Sequence, residues 1–419
     1  MQKAQKNHFI GLEWLRFLLG FYVMVYHTIH RYPQRFEIPF LSELTTLGFF
    51  ATSTFFILSG FLLTHVYFSG NTMREPAGSF LAKRFCNLYP IHIFGLLSYI
   101  AVISLLQWLD ISPDAATASA RFVIYDTNSE MPDPTQLQHL MSNSELVVNG
   151  LLQMFMLHAW NPFYLTFNAP LWSISTLFFF YLTFPFLAPR LLTVRRLWWL
   201  LLGICLLYLI PPVWVIWQHL YGIPYTGLLQ RGPLLRLPEF LAGILTYALF
   251  RRHQQQGLQL SKISRGWLAL TVTLCFVVAA QLYSHGARYW YFLLHNGLLL
   301  PAQLCLVYLC ATVTMPKSAN ITRWAKRLGS AALPIFALHV PLSILFRILE
   351  QMLRGAPSRC ISDWQYCVAQ AGLVTPSVWV YLGYLLFTVV FCVAFQKYFV
   401  IPVRQYLLQN WFFKYAAIR

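Results

Sequence analysis

Charge is what this chain has least of. Only 10% of its 419 residues are charged, 13 of them acids, whereas 58% are hydrophobic. Soluble globular chains carry about 25% charged residues. Too few charges remain to cover a water-facing surface, so much of the surface must face lipid. Long polar stretches are scarce too, since apolar segments recur from Phe9 to Ile401. That excludes a string of soluble domains, and we read residues 1–419 as one membrane domain. No Cys/His spacing fits a zinc site, so no metal is expected. Neither a Gly-x-Ser-x-Gly elbow nor a Ser/His/Asp triad order is legible. The first apolar run, from Phe9 to about Ile29, is broken by Glu13 and Arg16 and lacks a small-residue cleavage site. It is expected to remain as a span.

Ten apolar runs are long enough to cross a bilayer, near 9–29, 45–69, 88–109, 169–189, 197–217, 234–250, 266–283, 290–314, 330–349 and 377–402. The expected fold is therefore all-α, a polytopic bundle of about ten transmembrane helices. The formal charge of +17 does not indicate nucleic-acid binding, because the basic residues sit in short runs between apolar segments. With the N-terminus inside, 19 basic residues and one acid, Glu75, fall on the inner side. The outer segments then hold seven basic residues and ten acids. This is the asymmetry of the positive-inside rule, and it predicts two cytosolic termini. An eleventh apolar run, near 145–160, is short for a span, and counting it would put Arg190, Arg195 and Arg196 outside. It is expected to be re-entrant or interfacial. Residues 110–144 form the longest polar region, acidic and proline-bearing, of a kind that is often functional or disordered. Six of the eight cysteines lie in or beside spans. Cys360 and Cys367 share the last outer loop and can pair in an oxidising compartment, and the sequence leaves that open.

Ionisable groups inside a span are costly and are functional candidates. Glu13 with Arg16, and Glu239 with Arg236, sit three residues apart on one helix face. Such pairs either lock helices together or frame a polar cavity. Arg16 and His27 are 11 residues apart, three helical turns plus about 20°, and about 16 Å along the axis. One stripe thus carries a cation in the inner half and a titratable base near the outer surface. A lone interfacial histidine is ordinarily just that, so His27 needs support from elsewhere. Other polar groups in apolar runs are Ser59, Asn168, Trp172, Ser173, Ser175 and His339. The ordinary readings are a hydroxyl bonded to its own helix for Ser59, an interfacial anchor for Trp172 and a structural hydrogen bond for His339.

These segments together resemble the acyltransferase-three family of integral-membrane acyltransferases. GLEWLRFLLGFYVMVYHT is similar to its opening motif, an Arg and a His separated by ten residues, here Arg16 and His27 with Glu13 nearby. STFFILSGFLLT resembles its FFxLSGF segment. FLAKRFCNLYPIH resembles its basic loop before Tyr-Pro. APLWSISTLFFFYLTFP resembles its PLWSLS segment. RLPEFLAGIL gives Arg236 and Glu239, and ALPIFALHVPL gives His339. The chain departs from the pattern where Ser53 replaces an Asp, Asn87 replaces an Arg, and Leu177 and Phe178 occupy a stretch that commonly holds a Glu.

The resemblance implies O-acyl transfer of an acetyl or other acyl group. The donor would be cytosolic acyl-CoA, acetyl-CoA foremost, used as co-substrate with no bound cofactor. The acceptor would be a hydroxyl of a carbohydrate, glycolipid or other cell-surface molecule, and the location a bacterial inner membrane. His27 is the expected base, Arg16, Arg236 or a Ser hydroxyl the stabiliser of negative charge, and Glu13 and Glu239 hold those arginines. Ser59, Trp172, Ser173, Ser175 and His339 are expected to bind substrate, and Lys83 and Arg84 the donor. The alternatives are a transporter or flippase, which intramembrane Arg/Glu pairs also suit, and a family member that has lost catalysis.

Overall fold

A computed structural model describes residues 9–32, 38–111, 142–314 and 318–410, and the backbone of 122–124, 138–140 and 411–412. Sixteen α-helices are described. They are α1 (Ile10–Thr28), α2 (Leu41–Leu44), α3 (Gly48–Tyr67), α4 (Ala77–Trp108), α5 (Asn143–Met154), α6 (Trp172–Leu192), α7 (Leu197–Trp217) and α8 (Tyr225–Arg231). They continue with α9 (Pro233–Gln255), α10 (Lys262–His285), α11 (Tyr289–His295), α12 (Leu300–Ala311), α13 (Ala319–Arg354), α14 (Trp364–Gly372), α15 (Val378–Phe395) and α16 (Ile401–Leu407).

Nine helical stretches among the described residues are long and apolar enough to cross a membrane. They coincide with nine of the ten expected spans. The tenth, α1, has 19 residues and carries Glu13 and Arg16. The outward face of α7 suits lipid. Trp198 and Trp199 lie exposed at one end and Trp214 and Trp217 at the other, with exposed Leu202, Leu206, Leu207 and Ile210 between. Nineteen residues at about 1.5 Å each place those tryptophan pairs one hydrocarbon thickness apart, as aromatic belts require.

In the run near 145–160, α5 is only 12 residues long and cannot span. A capping box on Ser142 and Glu145 starts it, and Val147, Val148, Leu151 and Met154 leave an exposed apolar face. That is the form of an interfacial helix. Of the polar region 110–144, most lies outside the described residues. Two strands are described, β3 (Phe122–Ile124) and β4 (Gln138–Leu140), and β3 pairs antiparallel with both β4 and β5 (Leu165–Thr166). A separate hairpin joins β1 (Phe68–Ser69) to β2 (Thr72–Met73). The Cys360–Cys367 disulfide is formed.

Helices pack closest where side chains are smallest. On α3 and α9, a methyl on Gly60 would strike the Phe240 carbonyl, and one on Gly243 the Ile57 carbonyl. The FFILSGF segment is therefore a backbone-to-backbone seam, a common solution inside membranes. α1 lies along α13, and α13 along α15. Pro341 within α13 has no N–H for the Ala337 carbonyl. The Asn168 amide donates to that carbonyl at 2.7 Å and to the Gly95 carbonyl at 3.1 Å, tying the entry of α6 to α13 and α4.

Candidate functional site

The last turn of α1, the starts of α3, α6 and α9, and the end of α11 converge at one end of the bundle. Between them is a cavity of about 80 Å³ lined by Tyr26, His27, Phe49, Thr52, Trp172, Gln230, Arg236 and His295, with Leu165 of β5. It has room for several waters or a small acyl group.

His27 reaches this wall because α1 places it on the last turn. Its proton position follows from its partners. His339 Nδ1 is 2.8 Å from the Ile335 carbonyl, so that nitrogen donates and His339 Nε2 is left as an acceptor. His27 Nδ1 lies 3.1 Å from that Nε2 and 3.0 Å from the Val23 carbonyl. Both are acceptors, which assigns the His27 proton to Nδ1. His27 Nε2 then holds a lone pair on a ring that lines the cavity. The rings stack at 5.0 Å, and the Tyr384 hydroxyl donates to the His339 carbonyl at 2.8 Å.

Arg236 supplies the cation. It is 1% exposed, as is Glu239, and their side chains meet at 3.1 Å. Arg236 donates to the Ser53 hydroxyl at 2.7 Å and to the His295 carbonyl at 2.9 Å. The Tyr208 hydroxyl donates to Glu239 at 2.8 Å, and Asn296 donates to Tyr208 at 3.4 Å and to the Leu229 carbonyl at 2.8 Å. A buried ion pair persists only when its remaining valences are met, and this network meets most of them. Among the described residues, Arg236 Nε has no partner. A buried guanidinium on the wall of the same cavity as a base is suited to stabilise a developing oxyanion.

The expected site residues thus fall into three sets. His27, Trp172 and Arg236 line the cavity, with His339 and Glu239 behind them. Glu13, Arg16, Lys83 and Arg84 stand near the opposite end of the bundle. There Arg16 meets Glu13 at 3.4 Å, and Gly329 leaves the space in which Glu13 sits. Lys83 pairs with Glu75, while Arg84 donates to the Tyr67 hydroxyl at 2.5 Å. The third set is three hydroxyls bonded to backbone. Ser59 donates to the Phe55 carbonyl at 2.8 Å, Ser173 to Pro170 at 2.9 Å and Ser175 to Met156 at 2.5 Å. Sequence reasoning did not single out Tyr26, Thr52, Gln230 or His295. Each is an ordinary residue at a helix end, and only the folded chain aims it at the cavity. Among the described residues, no group of three or more His, Cys, Asp or Glu could hold a metal ion.

The chain is 28% identical over 235 residues to "Acyltransferase MdmB" of Streptomyces mycarofaciens, covering 52% of this chain and 50% of that protein. It is 29% identical over 99 residues to "Protein 2 in picA locus" of Rhizobium radiobacter, covering 23% of this chain and 46% of that protein. The chain thus spans about half the length of the curated relatives it matches. No solved structure matches. The family model described as "Acyltransferase domain" matches residues 9–397, almost the whole chain, and the protein belongs to the acyltransferase-three family.

Proposed function

We propose that the protein is an integral-membrane O-acyltransferase that takes an acyl group, acetyl foremost, from a cytosolic acyl-CoA-type donor. The acceptor is a hydroxyl of a carbohydrate, glycolipid or other cell-surface molecule. The observation that carries this reading is the cavity shared by His27, whose Nε2 holds a lone pair, and Arg236, a buried cation. In the reaction, Nε2 takes the acceptor proton as the hydroxyl oxygen bonds to the thioester carbonyl carbon. Arg236 stabilises the oxyanion. The carbon–sulfur bond then breaks, and the proton passes to the departing thiolate. His339 orients His27, while Glu239, Ser53 and Tyr208 hold Arg236. Trp172 forms an apolar wall for the acceptor.

The proposed setting is the inner membrane of a bacterium, with both termini cytosolic. The positive-inside asymmetry supports it. So does the Cys360–Cys367 disulfide, which belongs in an oxidising compartment. Arg16, Glu13 and Arg84 then lie toward the side from which the donor arrives.

The test is mass spectrometry of surface glycans and lipids from three cell lines. One makes the wild-type protein, one makes His27→Ala at equal membrane abundance, and one lacks the protein. We expect an ester-linked mass increment with wild type alone. Identical profiles in all three would favour a transporter or a member without catalysis.

A further inference from the structure

Arg236 brings positive charge to the cavity, but most of its hydrogen bonds are committed within the protein. One terminal nitrogen donates to the His295 carbonyl, the other meets Ser53 and Glu239, and Nε is buried. Other donors on the wall are spent as well. The Thr52 hydroxyl donates to the Gly48 carbonyl at 3.3 Å, and His295 Nδ1 donates to the Tyr291 carbonyl at 2.9 Å. Two neutral side-chain N–H donors remain on that wall, the amide of Gln230 and the indole of Trp172.

The Gln230 amide is oriented from behind. Arg231 Nη1 donates to Gln230 Oε1 at 3.2 Å, and because arginine only donates, this settles which end of the amide is oxygen. Arg231 is itself held fast. It is 1% exposed, and its Nε donates to the Asn161 carbonyl at 2.9 Å. Gly227 leaves the space this needs, because a methyl there would strike the Pro162 carbonyl and Arg231 Nη2. The backbone on either side of Gln230 is pinned too. Thr176 donates to the Arg231 carbonyl at 3.1 Å, and Asn296 to the Leu229 carbonyl at 2.8 Å. With Oε1 turned to Arg231, the NH2 end of this half-buried side chain has no partner among the described residues. A cavity of about 80 Å³ holds little more than one small group, so donors on its wall address the same few atoms.

We propose that Gln230 is a catalytic residue that donates its amide N–H to the oxyanion beside the charge of Arg236, and that Arg231 is the positioning residue that aims it. The inference rests on the acyltransferase reading. As the acceptor oxygen bonds to the thioester carbonyl carbon, the carbonyl π pair moves onto its oxygen, which the Nε2–H of Gln230 meets. The pair returns as the carbon–sulfur bond breaks, and the amide keeps its proton throughout.

The test uses full-length protein in neutral detergent, with acetyl-CoA as donor and a surface-glycan extract from cells lacking the protein as acceptor. Ester formation gives kcat and KM for wild type, Gln230→Leu, Gln230→Glu, Gln230→Asn, Arg231→Met and Trp172→Phe. Melting curves identify any variant that fails to fold, and Gln230→Glu, of nearly the same size, serves if Gln230→Leu does not fold. We expect Gln230→Leu and Gln230→Glu to lower kcat about 10²- to 10³-fold, the effect of losing one oxyanion donor. KM for acetyl-CoA should change little, because the bond forms only in the transition state. Gln230→Asn keeps an amide on a shorter arm and should fall between. Arg231→Met should lower kcat about 10- to 100-fold by releasing the amide. Wild-type kcat in both Gln230→Leu and Gln230→Glu overturns the proposal, as does a loss that appears in KM alone. A hundredfold fall in Trp172→Phe with none in Gln230→Leu assigns the donor to the indole and also overturns it. Ester absent even with wild type, here and in cells, sinks the transferase reading and this inference with it. Ester formed equally by wild type and the Gln230 variants sinks this inference alone.

Discussion

His339 Nε2 stands 3.1 Å from His27 Nδ1, and the acceptor character of His339 determines which His27 nitrogen is free for chemistry. The two residues are 312 positions apart and are joined by the packing of α1 against α13. Replacing His339 with Phe keeps an aromatic ring but removes the acceptor. We expect turnover to fall roughly 10- to 100-fold, as misorientation of a reacting group does. KM should change little, and the pH profile should shift. An unchanged pH profile would reduce His339 to a packing residue.

Glu239→Gln leaves Arg236 buried without a counter-charge, and breaking such a pair costs about 3–5 kcal/mol. Thermal unfolding in detergent should show it. The double variant Arg236→Met with Glu239→Leu should recover most of that stability while remaining inactive. If the double variant still transfers acyl groups, Arg236 is not the oxyanion stabiliser.

Nine of the ten expected spans were legible as helices long and apolar enough to cross a membrane, because their composition reports the solvent, and α5 was legible as too short to be one. The Arg/Glu pair in α9 was legible because ions are rare in spans. What could not be read was convergence. Ser53 looks like a lost acid in sequence, yet its hydroxyl accepts from Arg236 while Glu239 supplies the charge. Tyr208 sits in a uniformly apolar run, and nothing local marks it as the partner of a carboxylate 31 residues later.

Asn168→Leu removes the donor that serves the Ala337 carbonyl, left without its helical partner by Pro341. An orphaned buried carbonyl costs about 1–3 kcal/mol. We expect a lower melting temperature and, because this bond positions α13 near His339, a parallel loss of activity.

Gly60→Ala and Gly243→Ala should each destabilise by about 1–3 kcal/mol, since the added methyl meets backbone rather than a movable side chain. Gly203→Ala, with open space around it, is the control and should be neutral. Equal melting temperatures for all three would contradict the α3–α9 seam.

In a Cys367→Ser variant, the freed Cys360 thiol should react with a membrane-impermeant maleimide added to intact cells. Labelling that appears only after permeabilisation would invert the topology. The same substitution should lower stability by about 2 kcal/mol, the contribution of a short closed loop.

Helix α1 also acts as a ruler. It runs unbroken from Ile10 to Thr28 with no proline inside it. The rise between Arg16 and His27 is therefore set at about 16 Å by backbone geometry alone. In the proposed reaction, that interval is the reach demanded of the arm carrying the acyl group. Donors would then be sorted by length along the helix before the cavity sorts them by shape.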